Sequence, residues 1–104
     1  MNNWERMKAG RLYNADSKDL EKYHSFGMET CDKFNRTPLW RKKRKQRLLE
    51  KLIPSAKDGG AAIFAPFYCE YGVNIHFGKG CFVNYKCTFL DCAPITLEDG
   101  VWVG

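Results

Sequence analysis

From Ser17 to about Phe34 the apolar residues Leu20, Tyr23, Gly27, Cys31 and Phe34 recur at three- and four-residue intervals, the spacing of one helical stripe. Asp16 or Ser17 stands where a helix cap belongs. Thr37 and Pro38 repeat that start signal, a capping hydroxyl followed by proline at the first helical position, and predict a second helix running to about Ile53. Its apolar residues, Leu48, Leu49, Leu52 and Ile53, all lie at the back, so it is expected to dock by its C-terminal half only. The stretch "PSAKDGG" has the turn residues and paired glycines of a linker, and helical signals end there. The pattern divides the chain into a helical segment, residues 1–58, and a different unit, residues 59–104.

In the second unit the beat is six residues. Positions 65, 71, 77, 83 and 89 are Ala, Tyr, Phe, Val and Phe, and after a two-residue slip at "CAP" the series resumes at Leu97 and Val103. Four residues further on in each step stand Cys69, Ile75, Cys81, Cys87, Ala93 and, past the slip, Val101, mostly small or medium. A helix needs a beat near 3.6 and a simple strand a beat of two, so six predicts very short strands separated by tight turns. Three strands per coil close a triangular prism, each inward residue stacking on its equivalent about eighteen positions away. Gly72, Gly78, Asn84 and Gly104 follow the large position directly, where a turn with unusual backbone angles favours glycine or asparagine. The predicted fold is mainly β: a parallel β-helix of about two coils, preceded by two or three helices.

Charge changes the picture at one place. The net charge is +5, and Arg41, Lys42, Lys43, Arg44, Lys45 and Arg47 supply six of the seventeen basic residues. Such a run fits a solvated helix face, and it also fits nucleic acid, an acidic partner or a nuclear address. No apolar run approaches the roughly 20 residues a membrane span requires, and the N-terminus lacks the apolar core of a secretory signal, so a cytoplasmic protein is expected. Five cysteines without a C-x-x-C pair predict free thiols and no metal site. Cys69, Cys81 and Cys87 fall on the small inward positions, where a thiol packs as a compact hydrophobe. His76 is expected to face outward, and His24, beside Tyr23 on the first long helix, is expected to be a surface histidine like it.

With the repeats placed, the chain resembles the N-terminal part of the maltose and galactoside O-acetyltransferases, hexapeptide-repeat enzymes with a left-handed parallel β-helix, and their nodulation acetyltransferase relatives. Three stretches carry the resemblance: "ERMKAGRLYNADSKDL", "PFYCEYGVNIHFGKGCFVNY" and "CTFLDCAPITLEDGVWVG". It implies a homotrimer with active sites between neighbouring β-helices, acetyl-CoA as co-substrate without a metal, and a sugar acceptor bound near the N-terminal coils. A membrane partner is not expected, for lack of an apolar span, and neither is nucleic acid. The chemistry is attack of a sugar hydroxyl on a thioester, which calls for a base near neutral pKa and donors for the developing oxyanion.

The family's histidine sits in a "T-x-x-H-P" segment on the next coil, which would lie beyond Gly104, so no catalytic residue is assigned here. The beat is still running at Gly104, and a prism ending there leaves an open edge over an apolar interior. The chain is therefore expected to be a truncated form, inactive by itself. The resemblance assigns the acceptor side to four residues. Asn84 in "VNY" matches a groove asparagine, with turn geometry as its other explanation. Asp91 in "FLD" matches an acid beside the acceptor, Glu70 matches an acceptor-contacting position that varies between serine and acids, and Asp16 in "LYNAD" lies close to another such acid or caps the helix. The alternative function is a non-catalytic binding module that uses residues 41–47 for nucleic acid or an acidic partner.

Overall fold

The computed structural model describes residues 1–104. A short helix, α1 (Asn3–Lys8), starts where Asn2 turns its side-chain oxygen to the Glu5 N–H at 2.8 Å. The long helix α2 (Lys18–Arg36) buries Leu20, Gly27, Cys31 and Phe34 of the expected stripe, while Tyr23 stays partly exposed and stacks on Trp4 at 4.2 Å. Ser17 occupies the cap position, but neither its side chain nor that of Asp16 makes the capping bond. The order that capping would supply comes instead from Asp19, whose carboxylate accepts the Trp4 N–H at 2.9 Å and ties α2 to α1.

The second start signal reads differently in the structure. Helix α3 spans Lys42–Leu52, four residues later than Thr37-Pro38 predicts. The Thr37 hydroxyl donates to the Lys33 carbonyl at 2.6 Å and closes α2, while Arg41 N–H donates to Pro38 O in a turn. The same residues end one helix rather than begin the next. Leu49, Leu52 and Ile53 are buried, so α3 does dock by its rear half. A single turn of 3-10 helix (Pro54–Ala56) leads into the strands.

Seven short strands follow: β1 (Ala61–Ile63), β2 (Phe67–Cys69), β3 (Ile75–Phe77), β4 (Cys81–Val83), β5 (Cys87–Phe89), β6 (Ile95–Leu97) and β7 (Trp102–Val103). All pair in parallel on three separate faces, β1-β4-β7, β2-β5 and β3-β6. The register is twenty residues, Ile75 beside Ile95 and Cys81 beside Ala61, and not the eighteen a pure six-residue beat predicts. The difference is a second two-residue slip, at residues 70–74, which the sequence pattern concealed because Tyr71 happened to fall on a large-apolar position. That slip lies directly below the one at 90–94, and the two longer loops share one corner of the prism.

The inward residues are therefore the first and third of each strand. Phe67, Cys69, Ile75, Phe77, Cys81 and Val83 are buried and Cys87 packs against them, but Ala93 and Val101 are exposed. The left-handed backbone sits three residues after a strand ends, at Gly72, Gly80, Lys86 and Gly100, and not at Gly78 or Asn84. Gly78 is glycine for space: a Cβ there would lie 2.4 Å from Asp99 Oδ1. Cys31, Phe34, Leu49, Leu52 and Ile53 from the helices join the strand residues in one hydrophobic cluster, so the helical and β segments fold over a common core.

Candidate functional site: an acidic cleft between α2 and the broad corner

The corner made by the two longer loops is held by one side chain. Asp91 is fully buried, and its carboxylate accepts the backbone N–H groups of Glu70 (3.1 Å), Tyr71 (2.9 Å), Gly72 (2.7 Å) and Asn74 (3.2 Å). Asn74 returns a bond from its side-chain amide to Asp91 O at 2.8 Å. Two carboxylate oxygens serving four donors have their accepting capacity filled. Asp91 is expected from the resemblance to touch the acceptor. The geometry gives it a different task, fixing the loop that carries Glu70 and Tyr71.

Helix α2 reaches this loop because residue 27 is glycine: a Cβ there would lie 2.4 Å from the Glu70 carbonyl oxygen and 3.0 Å from Tyr71 Cα. One turn earlier on the same face, His24 Nε2 meets Glu70 Oε2 at 2.6 Å. His24 is thus paired and not the lone surface histidine the sequence predicts, whereas His76 is exposed as expected. Below them Met7, Leu20 and Tyr71 form a small apolar cluster, with Trp4 edge-on to Tyr71 at 4.9 Å.

A cleft of about 400 Å³ opens above this floor, within the range of small-molecule sites. Tyr13, Asp16, Glu21, His24, Glu70 and Cys92 are among its walls. Two of the four expected site residues, Asp16 and Glu70, are brought together here from 54 positions apart in sequence. Asn84 is not among the lining residues; it sits after β4, its Oδ1 accepting the Tyr85 N–H at 2.8 Å. Its backbone is not left-handed, so turn geometry does not explain it. Nothing in the residue pattern marks Tyr13, Glu21, His24 or Cys92 as site residues, since what unites them is the docking of α2 on the corner.

The cleft carries three carboxylates and no lysine or arginine, so it suits a ligand rich in hydroxyl donors and not one rich in phosphate. Burial pushes the Tyr71 phenol up to about 12, keeping it protonated. Burial, with the charges of Glu70 and Asp91 adding to it, also raises Cys92, which stays a thiol rather than a nucleophile. Elsewhere Cys31 and Cys69 lie sulfur to sulfur at 3.5 Å in the core. The hydrogen bond between them favours the thiolate on Cys31 and the thiol on Cys69.

Short parallel strands on three faces under a helical cap define a β-helix of the hexapeptide-repeat type. The family model described as the maltose acetyltransferase hexapeptide capping motif matches residues 6–57, half of the chain, and the chain belongs to that family. It is 36% identical to nodulation protein L of Rhizobium leguminosarum bv. viciae, over 96% of this chain and 52% of that protein. It superposes on the crystal structure of a maltose O-acetyltransferase from Clostridium difficile 630 with a TM-score of 0.91 and 31% identity, covering 98% of this chain and 54% of that one. A hexapeptide-repeat acetyltransferase of Vibrio cholerae O1 biovar eltor, solved with acetyl coenzyme A, matches with a TM-score of 0.80 and 27% identity, over 100% of this chain and 55% of that one. The chain spans about half the length of the curated relatives it matches.

Proposed function

We propose that this chain forms the acceptor-binding part of an acetyl-CoA-dependent O-acetyltransferase that acts on a sugar hydroxyl of the maltose, glucose or galactoside type. The observation that carries the proposal is the acidic cleft at the broad corner. Glu70, Asp16 and Glu21 offer carboxylate oxygens to a ring of hydroxyl donors, and Tyr13 offers an apolar face beside them. His24 holds one Glu70 oxygen and leaves the other for the sugar. The names of the relatives support this reading, as does the acetyl coenzyme A in the Vibrio structure.

The cleft does not fit the donor, whose pyrophosphate needs cations that its walls lack, so no cofactor contact is assigned to it. The base is likewise assigned to none of these residues, and the 104-residue polypeptide by itself is proposed to be inactive. The homotrimer with a left-handed β-helix of further coils is part of the same proposal. Its support is an aromatic ladder beside the β1-β4-β7 face, with Phe64 and Trp102 exposed on either side of a half-buried Phe82 and ring centroids 5.1 and 5.8 Å apart. On this view Asn84, next to that face, serves the site of a neighbouring copy.

The test is release of free CoA thiol by the protein from its own source, with maltose, glucose and a galactoside as acceptors. Sugar-dependent release that falls at least tenfold in kcat/KM with Glu70→Gln is expected. Release indifferent to every sugar, or to that substitution, would overturn the assignment.

A further inference from the structure

The basic run is not used by the cleft, and the structure divides it into two groups. Lys45 turns inward: its Nζ donates to Phe34 O at 3.0 Å and Thr37 O at 3.2 Å, lies 4.3 Å from the Phe34 ring centroid, and has its pKa lowered by burial. It closes the C-terminus of α2. Arg41, Lys42, Lys43, Arg44 and Arg47 remain, gathered with Trp40 around one shallow depression. Neither ion pair of the chain, His24–Glu70 or Arg36–Asp32, involves any of them. The first turn of α3 contains no acidic residue, so Arg41, Lys42, Lys43 and Arg44 stand at the positive end of the helix dipole without compensation, with Arg47 one turn on. Directly before them Leu39 and Trp40 are 77% and 79% exposed, two large apolar side chains side by side at the head of the charged patch.

We propose that this patch is a docking surface for a bilayer rich in anionic lipid, with Leu39 and Trp40 entering the interface while the five cations meet the headgroups. An apolar pair next to a cluster of cations is the combination a peripheral membrane contact requires, because tryptophan favours the headgroup level and basic residues favour anionic lipid. Nucleic acid accounts for the charges but not for the leucine, and no aromatic residue is interleaved from Arg41 to Arg47 for bases to stack on. No helix of the chain is long and apolar enough to cross a membrane. A surface contact needs no such span, so the expectation of no membrane partner, drawn from the lack of one, does not bear on it. The proposal is independent of the sugar site.

The test is co-sedimentation with vesicles of phosphatidylserine in phosphatidylcholine against phosphatidylcholine alone, at about 0.1 M salt. Binding only to the anionic vesicles is expected. Each cation engaged contributes about fivefold in partition coefficient, so Lys42→Glu, Lys43→Glu and Arg47→Glu together should lower it by about a hundredfold or more. These side chains are exposed, and glutamate suits the helix N-terminus at 42 and 43 and the helix interior at 47, so an unchanged circular dichroism spectrum and melting point will show that the fold is kept. Leu39→Ala with Trp40→Ala should lower vesicle binding about tenfold and leave retention on duplex DNA unaltered. No preference for anionic vesicles would overturn the proposal. So would vesicle binding unaffected by the Leu39→Ala/Trp40→Ala change, or displacement from vesicles by equimolar duplex DNA, which would make the patch a nucleic-acid surface.

Discussion

Replacing Asp91 by asparagine exchanges one carboxylate oxygen for an NH2 group with almost no change in volume, and the structure sets the size of the effect. The amide oxygen can continue to accept two of the four N–H groups of Glu70, Tyr71, Gly72 and Asn74. The new NH2 must face the other two, donor against donor. Two hydrogen bonds to a charged acceptor are lost, at roughly 1.5–3 kcal/mol each. Relief from burying a charge offsets part of this, leaving a destabilisation of roughly 2–5 kcal/mol. Against a total stability of about 5–15 kcal/mol that is a large fraction. With a urea slope of about 1–2 kcal/mol per molar, the unfolding midpoint should fall by about 1 M or more. Hydrogen exchange should show the loss concentrated at the amides of residues 70–74. A destabilisation below about 1 kcal/mol, with those amides still protected, would refute the account of Asp91 as the clamp of the corner and return it to the acceptor.

Three further outcomes follow from the same geometry. Glu70→Gln should leave the unfolding free energy from urea titration within about 0.5 kcal/mol of the parent, as expected for a partly exposed pair, while abolishing sugar binding measured by calorimetry. Gly27→Ala should destabilise by more than about 2 kcal/mol, since its Cβ would meet the Glu70 carbonyl at 2.4 Å, and should separate His24 from Glu70 as seen in the histidine NMR shifts. Tyr71 titrates at about 12 instead of about 10. Its fold favours the neutral phenol, so that contribution to stability is whole below pH 10 and is lost as pH rises towards 12; Tyr71→Phe should remove this part of the alkaline loss in urea titrations between pH 9 and 12.

Much of the fold was written in the chain as periodicity. The stripe Leu20, Gly27, Cys31, Phe34 placed α2 to within two residues, and the six-residue beat from Phe77 to Phe89 placed β4 and β5. What the pattern hid was which partner each residue takes. Thr37-Pro38 is a start signal by local chemistry, yet its hydroxyl finds the Lys33 carbonyl first. The slip at 70–74 is invisible until the twenty-residue register sets it under 90–94. The resemblance made Asp91 and Glu70 equally expected as acceptor contacts, and only burial tells them apart: one is enclosed by four backbone donors, the other faces a cleft. His24 reaches the cleft wall and Glu70 because Gly27 lets α2 approach the loop.

The most direct test of the sugar-acceptor assignment is an NMR titration of the isotope-labelled chain with maltose and with a galactoside. The account predicts saturable shifts confined to Tyr13, Asp16, Glu21, His24, Glu70 and Cys92, and their disappearance in Glu70→Gln. Saturable shifts centred elsewhere in the chain, or none in the cleft at tens of millimolar sugar, would contradict it.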